Sequence, residues 1–352
     1  MEKSVMNNFL IDNRRIGDGN SIFIIAEAGS NHNRDLKQAK RLIEIAAEAE
    51  ADAVKFQTYS AETLYSKKTP NPEYIEGKIE QDSLWHLIKD IELPREWQGE
   101  LADFTRSHGL VFMSTPFDYK AIEELEELHM SVYKIASFEI GDLPFLKEIA
   151  KTSKPIILST GMASLGDIED AINAIKEEGD LGIALLHCGI NYPPPFEDLN
   201  LRAIETLKQA FQIPVGYSDH TMSVAIPSVC TALGANIIEK HFTLDRSLKG
   251  PDHKFALEPN ELKQMIKYIR ETEIALGSPR KFMPESEKNL YKLARRSIVA
   301  RRKIPKGKVI EDSDLIIKRP GYGIAPKFLN IVLGRKAKND IDEDDIITWD
   351  LI

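Results

Sequence analysis

The chain has 352 residues, 42% of them hydrophobic and 29% charged, with a formal net charge of −9. That length suits one large core plus a small second domain. The negative balance argues against general nucleic-acid binding, which needs a basic face, so an anionic substrate must be drawn in by a local positive pocket.

The N-terminal stretch MEKSVMNNFLIDNRRIG lacks the apolar core of a secretory signal. No apolar run reaches the roughly 20 residues of a membrane helix, and a cytoplasmic protein without a membrane partner is expected. Cys188 and Cys230 lie far apart in apolar runs and read as buried reduced thiols.

From there the chain alternates short apolar runs with helical periodicity. IFIIAE closes on Glu27, and the turn-like AEAGSNHN after it, with Gly29, Asn31 and His32, fits a loop that contacts ligand. A helix is predicted over Leu36–Ala49, followed by DAVKFQ with Lys55 and Gln57. A charged, tyrosine-rich insertion from about Thr58 to Leu93 reads as a functional loop or lid. LVFMST then closes on Thr115, a helix is predicted near Ala121–Leu128, and VYKIAS carries Lys134 and Ser137, with Glu139 just beyond.

A helix near Leu143–Ala150 leads to PIILST with Ser159, and one near Leu165–Glu178 leads to IALLHC, ending at Cys188. NYPPPFEDLN is a proline-stiffened loop carrying Tyr192. Helices over Leu199–Ala210 and Ser223–Leu233 flank VGYSDH, which holds Ser218 and His220. ANIIEKH ends on His241, GPDHKFALEP supplies Asp252, and a helix over Leu262–Leu276 closes the series. Eight such units predict an α/β fold of the (β/α)8 TIM-barrel type, whose strands deliver their last side chains to one catalytic face.

The pattern ends near Gly277-Ser278-Pro279. The expected division is a barrel domain at 1–280, a linker at 281–292 and a β-rich module at 293–352. That module holds 13 Lys/Arg against 9 Asp/Glu, a net charge of +4, which leaves −13 for the rest. A basic module beside an acidic barrel suggests docking on a barrel face; a solvated basic surface is the plain alternative.

Three groups of residues carry chemistry. His220 and His241 end consecutive strands, so two imidazoles could share one metal and leave positions open for a substrate oxygen; the alternative is local hydrogen bonding. Lys55 and Lys134 lie inside apolar strands, where a lysine must meet an anionic ligand or a core carboxylate. With Thr115, Ser137, Ser159 and Ser218 they suggest a phosphate cradle, the rival being a Schiff-base lysine. Glu27 and Glu139, joined by Asp252, could act as general base and transition-state stabiliser.

AEAGSNH, KFQT, STPFD, YKIASFEI, LSTGMA, SDHT, EKHFTLD and GPDHKFALEP follow one another in this order. The set resembles the sialic acid (N-acetylneuraminate) synthase family of phosphoenolpyruvate-dependent nonulosonic acid synthases. RSIVA, IPKGKVI and KRPGYGI resemble that family's antifreeze-like (SAF) domain, a β-clip module.

The resemblance implies a domain-swapped homodimer. It implies a divalent metal on His220 and His241, typically Mn²⁺, with Mg²⁺ or Co²⁺ as alternatives. It places Lys55, Thr115, Lys134, Ser137, Ser159 and Ser218 on phosphoenolpyruvate, and Glu27, Glu139 and Asp252 around the reacting carbons. Gln57 and Tyr192 line the sugar site, and Arg319 reaches the sugar's acyl group from the other subunit. The implied reaction joins phosphoenolpyruvate, N-acetylmannosamine and water into N-acetylneuraminate and phosphate by C–O cleavage.

One segment departs from the pattern: Gly189-Ile190-Asn191 stands where the family carries polar groups facing the sugar. An apolar Ile190 suits a 6-deoxy sugar, which keeps a legionaminic acid synthase, acting on 2,4-diacetamido-2,4,6-trideoxymannose, as the alternative. A Schiff-base lyase using Lys134 and a non-catalytic sugar-binding protein are the readings from other classes.

Overall fold

The computed structural model describes residues 8–69 and 83–352. The chain forms two compact units, 1–277 and 278–352.

The first unit opens with a hairpin of β1 (Phe9–Ile11) and β2 (Arg14–Ile16). Eight parallel strands follow: β3 (Phe23–Glu27), β4 (Ala53–Thr58), β5 (Val111–Pro116) and β6 (Tyr133–Ile135). β7 (Ile156–Ser159), β8 (Ile183–Cys188), β9 (Val215–Asp219) and β10 (Ile237–His241) complete them. Hydrogen bonding runs in the order β5-β4-β3-β10-β9-β8-β7-β6, and β6 packs back against β5 to close a barrel. The eight predicted strands are all present, within two residues of their expected starts.

Helices cover the outside. They are α1 (Leu36–Glu48), α2 (Ala61–Leu64), α3 (Leu84–Ile91), α4 (Gln98–Ser107) and α5 (Tyr119–Glu127). Then come α6 (Leu143–Ala150), α7 (Leu165–Lys176), α8 (Ala203–Phe211), α9 (Ile226–Ala232) and α10 (Pro259–Leu276). Caps set several starts: Asp35 accepts from the Lys37 and Gln38 amides to begin α1, and Ser164 with Asp167 forms a capping box on α7.

Three boundaries differ from the periodicity reading. α8 starts at Ala203, after a 3-10 turn and a stretch of tight turns. α9 starts at Ile226, with Pro227 in its first turn. α10 starts at Pro259, where Glu258 and Glu261 form a capping box. The insertion between β4 and α4 contains α2 and α3; its middle, residues 70–82, lies outside the described residues. α4 itself was not anticipated.

The period-2 alternation of the strands places the site. Ile25, Ala53, Met113, Val132, Ile157, Leu186 and Ile237 point into the barrel and form its inner apolar layer. Their neighbours of opposite parity, such as Ile24, Val54, Phe112 and Ile238, pack outward among the core beneath the helices. Two residues beyond the inner layer, the same faces carry Glu27, Lys55, Thr115, Lys134, Ser159, Cys188 and Glu239.

The hairpin seals the opposite end. Ile11 and Ile16 are buried in the inner apolar cluster, and each such burial is worth roughly 2 kcal/mol. Phe9 lies so close to Gly182 that a Cβ there would come within 2.5 Å of it. Gly216 is required for a similar reason, since a Cβ would sit 2.2 Å from the Ile237 carbonyl oxygen on the adjoining strand.

The second unit contains α11 (Lys288–Ala294), the antiparallel strands β11 (Ser297–Ala300) and β12 (Leu315–Lys318), and α12 (Leu329–Val332). It has its own core, built around Ile298, Ile310, Ile324, Ile341 and Ile347. Asp314 is buried there between Arg302 Nε at 2.7 Å and Lys308 Nζ at 2.6 Å. Although burial opposes its charge, these cations and the Glu311 amide pull its pKa to about 2. Most of the expected linker is ordered as a 3-10 turn, Glu285–Glu287, and α11.

Candidate active site

The polar side chains at the barrel mouth form two linked levels. At the lower level, Lys55 Nζ lies 2.9 Å from Glu27 Oε2 and donates to Thr115 Oγ1 at 3.1 Å. Lys134 Nζ donates to Ser159 Oγ at 2.7 Å. Between the lysines stands Glu239, whose Oε1 is 3.8 Å from Lys55 Nζ and 3.7 Å from Lys134 Nζ and accepts from Ser218 Oγ at 3.1 Å. All of these groups are buried.

Glu239 was not singled out from sequence, although it shares a strand face with His241 two residues later. Its burial opposes ionisation, yet Lys134 and Lys55 hold its pKa below the usual range. Burial also opposes the charge on Lys55, but Glu239 and Glu27 leave its pKa raised. Burial prevails at Lys134, whose pKa is lowered. Glu27 is raised to about 7 by burial, against the pull of Lys55, and its other oxygen accepts from Gln57 Nε2 at 2.7 Å.

At the upper level, His220 and His241 face each other with ring centroids 5.4 Å apart. His220 Nδ1 donates to the Gly189 carbonyl at 2.7 Å, which leaves the Nε2 lone pair inside the mouth. His241 Nδ1 is buried and, among the described residues, has no hydrogen-bond partner. Burial lowers the pKa of His220 to about 4 and that of His241 well below its ordinary value, so both rings are neutral at pH 7.

A pair of neutral, facing imidazoles, one with an orphaned nitrogen, fits a divalent metal of borderline hardness. Among the described residues no group of three or more His, Cys, Asp or Glu is arranged around such an ion. The pair would therefore make a two-ligand site, open to water and substrate.

Other predicted residues complete the walls. The Tyr192 ring lies 4.1 Å from the His220 ring and 5.0 Å from Phe255, so the loop after β8 closes one side. Asp252 Oδ2 accepts from the Ser30 amide at 3.1 Å and its hydroxyl at 3.0 Å, and lies 3.9 Å from His241 Nδ1. Gly29, at φ +51°, permits this approach, since a Cβ would fall 2.6 Å from that oxygen.

Ser137 Oγ meets Cys188 Sγ at 3.2 Å and accepts from the Gly161 amide at 2.9 Å, close by but apart from the lysine cluster. Glu139 follows in a 3-10 turn; its Oε2 is buried without a hydrogen-bond partner among the described residues, and burial raises its pKa to about 7. In the loop expected to contact ligand, Asn31 Nδ2 donates to the Phe242 carbonyl just after β10, and His32 Nδ1 accepts from the Arg34 amide. Arg319, in the second unit, is exposed and donates from Nε to the Ala294 carbonyl at 2.8 Å. Both cysteines are free and buried.

The NeuB family pattern matches residues 42–281 and the SAF domain matches residues 295–352. The chain is 44% identical to an N,N′-diacetyllegionaminic acid synthase of Campylobacter jejuni, over 92% of this chain and 98% of that protein. It is 41% identical to a protein of the same name from Legionella pneumophila, over 96% of each. A solved N-acetylneuraminic acid synthetase of Leptospira borgpetersenii is 35% identical with a TM-score of 0.72, over 81% of this chain and 95% of that one. A TIM-like barrel with these strand-end residues, followed by a SAF domain, thus belongs to the NeuB family.

Proposed function

We propose that the protein condenses phosphoenolpyruvate with the open-chain aldehyde of an N-acyl hexosamine and water, giving a nonulosonic acid and inorganic phosphate. The observation that carries this reading is the two-level mouth: two buried lysines sharing Glu239, below two neutral imidazoles.

Lys55 and Lys134 offer their charge, and Thr115, Ser137, Ser159 and Ser218 their hydroxyls, to the phosphate and carboxylate of phosphoenolpyruvate. His220 and His241 would hold the divalent metal, Mn²⁺ first and Mg²⁺ or Co²⁺ otherwise, which when bound polarises the aldehyde oxygen. C3 of phosphoenolpyruvate forms the new bond to the aldehyde carbon, and water adds at C2. The C2–O bond to phosphate then breaks, phosphate leaves with the electron pair, and C2 becomes the ketone.

Glu27, with its pKa near 7, can exchange a proton with the attacking water and stabilise the tetrahedral centre. Glu139, raised to about 7 by burial as well, serves as the proton-transfer partner, and these two roles could be exchanged. Gln57, Tyr192 and Asp252 line the sugar side.

For the sugar, we favour 2,4-diacetamido-2,4,6-trideoxymannose. Ile190 Cγ2 lies only 2.7 Å from where a Gly161 Cβ would be, beside the Ser137–Cys188 contact, and an apolar side chain there suits a 6-deoxy sugar better than one with a free hydroxymethyl. The two relatives named for the legionaminate reaction, 44% and 41% identical, support that order. N-acetylmannosamine, the first expectation from sequence, stands second, on the likeness to the solved N-acetylneuraminate enzyme. A domain-swapped homodimer would bring Arg319 of a second copy to the sugar's acyl group.

The test incubates metal-stripped protein with phosphoenolpyruvate, Mn²⁺ and each sugar in turn, following phosphate release and product mass. A nine-carbon keto acid formed only with metal, and lost in His220→Ala and His241→Ala, is expected, faster with the trideoxy sugar. Metal-independent turnover trapped on Lys134 by borohydride would establish a lyase instead. Sugar binding without any product, undiminished in both histidine variants, would leave a binding protein.

A further inference from the structure

Behind the imidazoles lies an ion pair that takes no part in the chemistry above. Asp219 and Lys240 are register partners on β9 and β10, and each immediately precedes one of the facing histidines. Because neighbouring strand residues alternate faces, the histidines point into the mouth while this pair points back into the barrel wall. Both side chains are fully buried, with Lys240 Nζ 2.6 Å from Asp219 Oδ2.

The pair also grips the backbone around His220. Asp219 Oδ1 accepts from the Thr221 amide at 2.9 Å, and Lys240 Nζ donates to the Thr221 carbonyl. The turn bearing His220 is thereby tied on its outer side to the residue just before His241. A buried ion pair is weak evidence for stability, since apolar side chains of like volume pack as well or better. What apolar side chains would not reproduce is this three-way tie between two strand ends.

We propose that the Asp219–Lys240 pair is a positioning element that holds His220 and His241 at the separation needed to bind a divalent metal. The proposal rests on the metal reading of that histidine pair. Groups supporting a metal's ligands commonly change its affinity about 10- to 100-fold when replaced, and a loss in that range is expected here.

The experiment uses the full-length, metal-stripped protein without substrates. Mn²⁺ affinity is measured by calorimetry and electron paramagnetic resonance in the wild type, in Asp219→Asn, and in the double variant Asp219→Leu/Lys240→Met. Co²⁺ absorption reports coordination geometry in each. Folding is checked by circular dichroism melts.

The double variant replaces both charges with apolar groups of matching branching and similar length, and it is expected to melt cooperatively, bind Mn²⁺ about 10- to 100-fold more weakly and show a changed Co²⁺ spectrum. Asp219→Asn should fall between it and the wild type. Unaltered affinity and spectrum in whichever of these variants folds would overturn the proposal and leave the pair a packing element. A wild type that binds no Mn²⁺ would overturn the underlying metal reading as well, so the two failures are told apart.

Discussion

Glu139→Gln is the most direct probe of the site's electrostatics. Burial raises the Glu139 carboxyl from 4.5 to about 7. A carboxyl whose folded pKa exceeds its unfolded one contributes stability that is full below pH 4.5 and is lost as pH rises through 7. At about 1.4 kcal/mol per pH unit, the whole effect is roughly 3 kcal/mol, and about 2 kcal/mol of it falls between pH 5.5 and 7.5. Glutamine keeps the shape and does not titrate, so the stability of Glu139→Gln relative to wild type should rise by about 2 kcal/mol over that interval. Urea unfolding of the metal-stripped, ligand-free proteins at the two pH values measures this. If the two proteins keep the same difference at both, to within about 0.5 kcal/mol, the carboxyl is not held neutral by burial and its assignment to proton transfer loses its physical basis.

Glu239→Gln removes the carboxylate that both lysines share, and should lower stability by about 3–5 kcal/mol. Inorganic phosphate should then raise the variant's Tm more than the wild type's, and equal shifts would count against a phosphate site at those lysines. Ile190→Ser should move the ratio of kcat/KM for the two sugars toward N-acetylmannosamine by about tenfold; an unmoved ratio takes Ile190 out of sugar selection. Arg319→Ala should raise KM for the sugar while leaving phosphoenolpyruvate affinity, read by calorimetry, where it was. An unchanged sugar KM would remove Arg319 from the site.

The barrel was legible because each strand ends an apolar run on a polar residue, a break in pattern that survives without any alignment. The same alternation shows which residues share a wall, so Lys55, Lys134 and the two histidines could be placed at one mouth. Counting back two from His241 would have found Glu239, and asking what neutralises a lysine in an apolar strand would have found Lys240 with Asp219. In the run ANIIEKH both Glu239 and Lys240 are masked by the terminal His241, the one polar group that ends the strand.

The hairpin left a fainter trace. Its strands have three residues each, too few for period to show, and their pairing depends on a barrel floor that exists only once the sheet has closed. α4 lies just beyond the charged insertion, in a stretch to which the sequence reading assigns no element. The internal hydrogen bonds of Asn31 and His32 left no trace for a different reason, since a polar loop reads alike whether or not its side chains also brace the backbone.

The hairpin also has a kinetic consequence. With Ile11 and Ile16 packed into the inner apolar cluster, the lysines are approached from the end that carries His220, His241 and Tyr192. Whatever the lysines grip must descend past the ring of His220, His241 and Tyr192, and a sugar resting on that ring would cork it. On the proposed reaction, the anion would then enter first and the sugar follow. Steady-state kinetics should show a compulsory sequence, and excess sugar should inhibit by trapping the empty site behind it.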